Sequence, residues 1–256
     1  MLRPRLIPCL LVTANGLVKT VKFSEPKYVG DPLNAVRIFN EKQVDELIVL
    51  DIEASPEKRE PNYSLIKSLA SECRMPLCYG GGVTSLEQFQ RIIELGVEKV
   101  AISSAAVEQP ELISKAAETI GAQSVVVVLD VLQTGSGLEV CTQRGQRRTG
   151  LDAVEYAVRM QKLGAGEIVL NSIDRDGTGL GYNTELIAAV RRRVTLPITA
   201  LGGAGTLDHV RELFSNFGII GAAAGSLFVF KGKYRAVLIS YPSAEEHERL
   251  LPGSGV

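Results

Sequence analysis

The chain has 256 residues, 45% of them hydrophobic and 22% charged, with a formal net charge of −1 at pH 7. That length and apolar content suit a single domain with a substantial core, and the near-zero charge argues against a broad surface for nucleic acid or for an anionic membrane. With no tryptophan and 5% aromatic residues, a base-stacking platform is not expected either.

The N-terminal "MLRPRLIPCLLV" has a short apolar run but no small-residue cleavage site, so it reads as a first strand and not as a signal peptide. No apolar run approaches the roughly 18 residues that span a bilayer. In chain order the strand candidates are Arg5–Leu10, Glu46–Asp51, Pro76–Tyr79, Lys99–Ile102, Val125–Asp130, Glu167–Asn171, Ile198–Ala200 and Gly221–Ala224. Most are continuous apolar runs, as expected of parallel strands buried on both faces. Between them lie helical patterns such as Pro32–Lys42, Ser85–Leu95, Pro110–Ile120 and Leu151–Leu163. Asp31 before Pro32, Ser85 with Glu87 nearby, and Asn183 with Glu185 are good helix starts, and Gly96, Gly121, Gly164 and Gly218 follow helices. Eight β-then-α units predict an α/β protein, a (β/α)8 TIM barrel.

An internal repeat runs through these elements. "ELIVLDIEAS" from Glu46 matches "EIVLNSIDRD" from Glu167, 121 residues later, and "MPLCYGGGVTSLE" from Met75 matches "LPITALGGAGTLD" from Leu196 at the same spacing. "LGVEKVAISS" from Leu95 matches "FGIIGAAAGS" from Phe217 at 122 residues, and "RLIPCLLV" from Arg5 matches "SVVVVLDV" from Ser124 at 119. The spacing predicts two half-barrels, about 1–120 and 121–240, with a loose polar tail over 241–256.

The glycine runs "YGGG" (79–82) and "LGGAG" (201–205) follow the third and seventh strands. Glycine there lets backbone N–H groups turn toward a ligand, and the segments around Ser103 and Ser104 and around Gly225 and Ser226 lead into short helices from adjacent strands. Gly81, Gly82, Ser103 and Ser104 would thus converge on one phosphate, and Gly202, Gly203, Gly225 and Ser226 on another. The structural alternative is a set of tight turns that need glycine for geometry alone. Asp51, Asp130, Asp174 and Asp176 lie at or just past strand ends, where this fold carries its active sites, although capping or turn stabilisation would also use them. Cys9, Cys73, Cys78 and Cys141 form no CxxC pair, and His209 and His247 are the only histidines. Neither a metal site nor a disulfide framework is expected, and the plain reading is a reduced cytoplasmic protein without a cofactor.

"RLIPCL", "DELIVLDIEAS", "YGGGV", "EKVAISSAAV", "GAQSVVVVLD", "GAGEIVLNSIDRDGT", "GYNTELI" and "LGGAG" together resemble HisF, the cyclase subunit of imidazole glycerol phosphate synthase. The resemblance implies a half-barrel duplication with two phosphate sites, fed with ammonia by a HisH glutaminase through the barrel interior. It places the ammonia gate on Arg5, Glu46, Lys99 and Glu167, with the glutaminase at the N-terminal face of the barrel. It places one acid–base aspartate on Asp130 and the other on Leu11, which carries no proton. Lys19, Asp51, Asn171, Asp176 and Gly177 fall on substrate-binding positions. Ser103 and Ser104 stand where Asn and Thr are usual, Asn171 where Thr is usual, and Leu201 where Ser is usual.

The segments "LVKTVKF…PKYVGDP…RIFNEK" and "AGSLFVF…RAVLISYP" are similar to those of HisF-like proteins from surface-polysaccharide clusters, such as those of O-antigen and lipopolysaccharide. That similarity implies acetamidino modification of a sugar, with ammonia passed from a HisH-like glutaminase to a separate N-acetyl-sugar amidotransferase. The alternatives are a genuine cyclase of histidine biosynthesis and a purely structural partner.

Overall fold

The structure, a computed structural model, describes residues 3–135, 137–232 and 234–251. Eight parallel strands form its centre: β1 (Arg5–Thr13), β2 (Leu47–Asp51), β3 (Leu77–Gly80), β4 (Lys99–Ile102), β5 (Val125–Thr134), β6 (Glu167–Ser172), β7 (Ile198–Leu201) and β8 (Gly221–Ala224). They pair in sequence order, and β8 returns to β1 with Gly221 opposite Arg5, so the sheet closes into a (β/α)8 barrel. The continuous apolar runs follow from this closure, because successive side chains point to opposite faces and both faces are buried. Leu6, Leu10, Val49, Leu77 and Val100 pack outward against helices, while Ile7, Ile48, Cys78, Val126, Val169 and Ala223 fill the barrel interior.

The outer layer is α1 (Pro32–Glu41), α2 (Tyr63–Glu72), α3 (Leu86–Glu94), α4 (Glu111–Ile120), α5 (Ala153–Lys162), α6 (Thr184–Arg191) and α7 (Leu207–Phe217). Asp31, Ser85 and Asn183 cap α1, α3 and α6 through their side chains. Ser85 forms a capping box with Gln88, at the third helical position, and Glu87 is the acidic residue of the first turn. The helix expected from Leu151 begins instead at Ala153, because Asp152 accepts from the N–H groups of Val154 and Glu155 and so becomes its cap. No helix among the described residues is long and apolar enough to cross a membrane.

Two features escape the sequence reading. After β1 and again after β5 the chain folds back as an antiparallel hairpin, Gly16–Val21 with Ser24–Gly30 and Gly137–Thr142 with Arg147–Asp152. The reversal out of β1 passes through Asn15-Gly16, whereas at the distal tips Lys22 and Phe23 adopt φ of 51° and 61°, and Gln143 and Arg144, followed by Gly145, of 51° and 58°. The second feature corrects the loose tail, because Tyr241–Leu251 is docked. The Tyr241 hydroxyl donates to the Leu6 carbonyl at 2.9 Å, and His247 Nε2 lies 3.2 Å from Asp45 Oδ2. Ser243 and Glu246 form a capping box on the short helix Ala244–Glu248, and Leu250 is 1% exposed. The segment is polar in sequence, so its anchoring by Tyr241, Leu250 and Leu251 is a tertiary property. Residues 252–256 lie outside the described residues.

Candidate functional site

Two pockets open at the C-terminal ends of the strands. The first, about 800 Å3, is bounded by Gly81, Gly82, Ser103, Ser104, Asp51 and Asp130. The second, about 480 Å3, is bounded by Lys19, Asp176, Gly177, Gly202, Gly203, Gly225 and Ser226. Leu11, Phe23 and Asn171 line both. The structure thus brings the glycine turn after β3 together with the serines after β4, and the glycines after β7 together with Gly225 and Ser226 after β8.

Glycine is required sterically at two of these positions. A Cβ on Gly81 (φ +121°) would come within 2.4 Å of the Asp51 carbonyl oxygen, and one on Gly203 (φ +104°) within 2.0 Å of the Gly181 carbonyl oxygen. The turn therefore brings bare backbone to the pocket wall, as both the phosphate reading and the simple-turn reading require.

Asp130 is the carboxylate at the centre of the mouth. It accepts from Asn171 Nδ2 at 2.8 Å and, weakly, from the Ser103 hydroxyl at 3.5 Å. Burial pushes its pKa up to about 7, against the lowering effect of those two bonds and with a further rise from Asp176. A carboxyl in that range is half-protonated near neutral pH and can give or take a proton. The folded state holds this proton more tightly than the unfolded chain, so stability falls as pH rises from the ordinary carboxylate range through about 7. Asp130→Asn is accordingly expected to raise stability at pH 8 by about 1–2 kcal/mol, discounted for solvent contact in the pocket, and by less at pH 5. Thermal melts at the two pH values check this; an equal shift at both would show ordinary ionisation of Asp130.

Leu11 shares the first pocket with Asp130 and brings no polar atom to it. Asn171 lies between the pockets, 7% exposed, and its Oδ1 has no hydrogen-bond partner among the described residues. In the second pocket Lys19 Nζ donates to the Cys9 carbonyl at 2.6 Å. Burial pulls the Lys19 pKa down, opposed by Cys9 and Asp176. Asp176 accepts from the Thr20 hydroxyl at 2.8 Å and from the Phe23 N–H at 3.2 Å, which ties the first hairpin to the loop after β6. Burial raises the Asp176 pKa despite these bonds and Lys19.

The other carboxylates serve their loops. Asp51 Oδ1 accepts from the N–H groups of Glu53 and Ala54 at 3.0 Å each, and its Oδ2 lies 3.5 Å from Arg59. Asp51 borders the first pocket with both oxygens already engaged, the turn-stabilising role weighed from sequence. Asp174 accepts from the Gln133 N–H at 2.7 Å and joins the β6 loop to the end of β5.

At the opposite, N-terminal end of the barrel Arg5, Glu46, Lys99 and Glu167 close a ring of alternating charge. Arg5 pairs with Glu46 and, at 2.7 Å, with Glu167; Lys99 sits 2.8 Å from both Glu46 and Glu167. Burial works against the charges of Arg5 and Lys99, yet the two glutamates outweigh it and raise both pKa values. Burial likewise disfavours ionised Glu167, but Arg5 and Lys99 outweigh it and hold its pKa below the usual carboxylate range. Thr199, fully buried, donates to Glu167 Oε1 at 2.6 Å and accepts from Arg5 at 3.3 Å. The sequence reading missed Thr199, whose signal is a lone hydroxyl within an apolar strand. It also missed Thr20, Phe23 and Arg144, which only the hairpins carry to the mouth.

Comparison with known proteins agrees with this geometry. The family model described as histidine biosynthesis protein matches residues 5–235. A relative from Leptospira borgpetersenii, provisionally named imidazole glycerol phosphate synthase subunit HisF, is 55% identical over 98% of this chain and 100% of its own. A second from Pseudomonas aeruginosa, provisionally named subunit hisF2 of the same synthase, is 51% identical over 96% of this chain and 98% of its own. The imidazole glycerol phosphate synthase subunit HisF of Lactococcus lactis subsp. cremoris is 43% identical over 89% of each chain. From the charge ring to the segment beyond β8, the chain belongs to the histidine biosynthesis protein family, as a HisF-like (β/α)8 barrel.

Proposed function

We propose that this protein is a cytoplasmic HisF-like subunit of a glutamine-dependent amidotransferase. It activates a HisH-like glutaminase docked on the N-terminal face and conducts ammonia through the barrel. The ammonia goes to a separate N-acetyl-sugar amidotransferase, for acetamidino modification of a surface-polysaccharide sugar. The observation that carries this reading is the contrast between the two ends of the barrel. The ring of Arg5, Glu46, Lys99 and Glu167 is complete, while the mouth has Asp130 without a second carboxylate at Leu11. Cyclisation and C–N cleavage require protons moved on opposite faces of the substrate, and leucine moves none. Between the ends, the apolar interior suits a small neutral molecule and opposes ions.

A second reading is a working cyclase of histidine biosynthesis, which makes imidazole glycerol phosphate and an aminoimidazole nucleotide from ammonia and a ribulosyl-formimino-aminoimidazole carboxamide nucleotide. The names of the relatives favour it, and so does Asp176, a second buried carboxyl that raises the pKa of Asp130. Complementation of a histidine auxotroph that lacks its cyclase subunit separates the two. No growth is expected; robust growth would establish the cyclase instead.

A further inference from the structure

The hairpin after β5 carries three arginines in five residues, Arg144, Arg147 and Arg148. Two are neutralised on the outside of the fold, Arg147 by Glu108 at 3.2 Å and Arg148 by Glu139. The third, Arg144, is half-buried in the wall of the first pocket and, among the described residues, has no carboxylate within ion-pair distance. Its position is held. The Gln143 N–H donates to the Ser104 hydroxyl oxygen at 3.2 Å, and both Gln143 and Arg144 occupy the left-handed region that favours glycine. A Cβ on Gly145 would meet Ile173 at 3.3 Å and Phe23 at 3.4 Å, so the tip rests against the first hairpin, over the mouth.

The charge balance of the two pockets is therefore unequal. In the second, Lys19 already donates to the Cys9 carbonyl and faces Asp176. In the first, Asp51 is engaged by its own turn and by Arg59, and Asp130 holds a proton up to about pH 7. That leaves the Arg144 guanidinium, a planar fork suited to a phosphate, as the uncompensated charge.

We propose that Arg144 is the anion-selecting residue of the first pocket, holding a phosphate monoester dianion against the Gly81–Gly82 turn and Ser103. This rests on the reading of that turn as a phosphate site, and the test separates the two. Ribose 5-phosphate is titrated into the full chain at pH 6.5, where Asp130 is mostly protonated and the phosphate mostly dianionic, at low salt, and the backbone amides are followed by NMR. In the unaltered protein Gly81 and Gly82 are expected to shift on titration. In Arg144→Gln the dissociation constant reported by those amides should rise at least tenfold, about 1.4 kcal/mol, with Gly202 and Gly203 unaffected. Arg144→Lys should recover part of the loss. Affinity in Arg144→Gln within twofold of the original, in a protein whose remaining spectrum is unchanged, would overturn the role of Arg144 alone. Absence of any shift at Gly81 and Gly82 in the unaltered protein would overturn the phosphate reading, and the proposal with it.

Discussion

Glu167→Ala is expected to destabilise the protein by about 3–5 kcal/mol and to uncouple glutamine hydrolysis from ammonia delivery. The carboxylate accepts from Arg5, Lys99 and Thr199 at one buried point of the ring. Its removal leaves two cations sharing Glu46 and strips the Thr199 hydroxyl of its acceptor. Breaking a buried ion-pair network costs about this much, here because two cations are left to share one carboxylate in a largely buried site. Glu167→Gln keeps the shape and the hydrogen-bonding capacity, so its cost should be smaller, and it serves where the alanine variant does not fold. The pH dependence has a definite sign. The Glu167 pKa is depressed on folding, so its stabilisation is present above the unfolded value and is lost as pH falls through the folded one. The difference between the original and Glu167→Ala in urea unfolding should therefore shrink in acid. With a glutaminase and an acceptor enzyme present, ammonia should appear in bulk solution in place of the product. Loss of stability with coupling intact would make the ring a structural plug and sink the conduit.

Leu11→Asp is expected to yield measurable cyclase turnover when ammonium salt replaces the glutaminase. Leu11 is partly open to the first pocket, so a carboxylate there can reach solvent and need not unfold β1. Two carboxyls in one pocket repel, and the pKa of at least one of them rises. Stability should consequently fall by about 1–2 kcal/mol at pH 8 and by less at pH 5. Turnover should follow a bell-shaped pH profile, because one group must be protonated and the other ionised. A folded Leu11→Asp protein without turnover would show that the altered neighbours, Ser103, Ser104 and Leu201, have also lost what the chemistry needs.

Much of the scaffold is legible in the amino-acid sequence because the forces that write it are local. A run such as Val125–Asp130 is apolar at every step because a barrel strand is covered on both faces. Asp31, Ser85 and Asn183 announce helix starts because a capping side chain reaches only two or three residues along its own chain. The glycines at 81 and 203 are visible for a similar reason, since a Cβ cannot fit where backbone meets backbone. The hairpins were hidden because Asn15-Gly16 and Gly145 mark turns without showing what pairs across them, and because Lys22, Phe23, Gln143 and Arg144 take the left-handed region without being typical turn residues. The docked segment Tyr241–Leu251 was hidden because Tyr241 and Leu250 bind the barrel and not their own segment.

By itself, then, the sequence determined the eight strands, their order, the helix caps and the absence of a proton-carrying group at Leu11. These depend on each residue's own chemistry and on neighbours within one turn. Only the tertiary structure decided how the ring closes, with Arg5 2.7 Å from Glu167, that Thr199 joins them, and that Asp130 is buried deeply enough to keep a proton near neutral pH. It also decided which of three arginines on one hairpin has no carboxylate beside it among the described residues. The strength and meaning of a charge are set by burial and by the charges around it, and both exist only once distant segments have closed into the barrel.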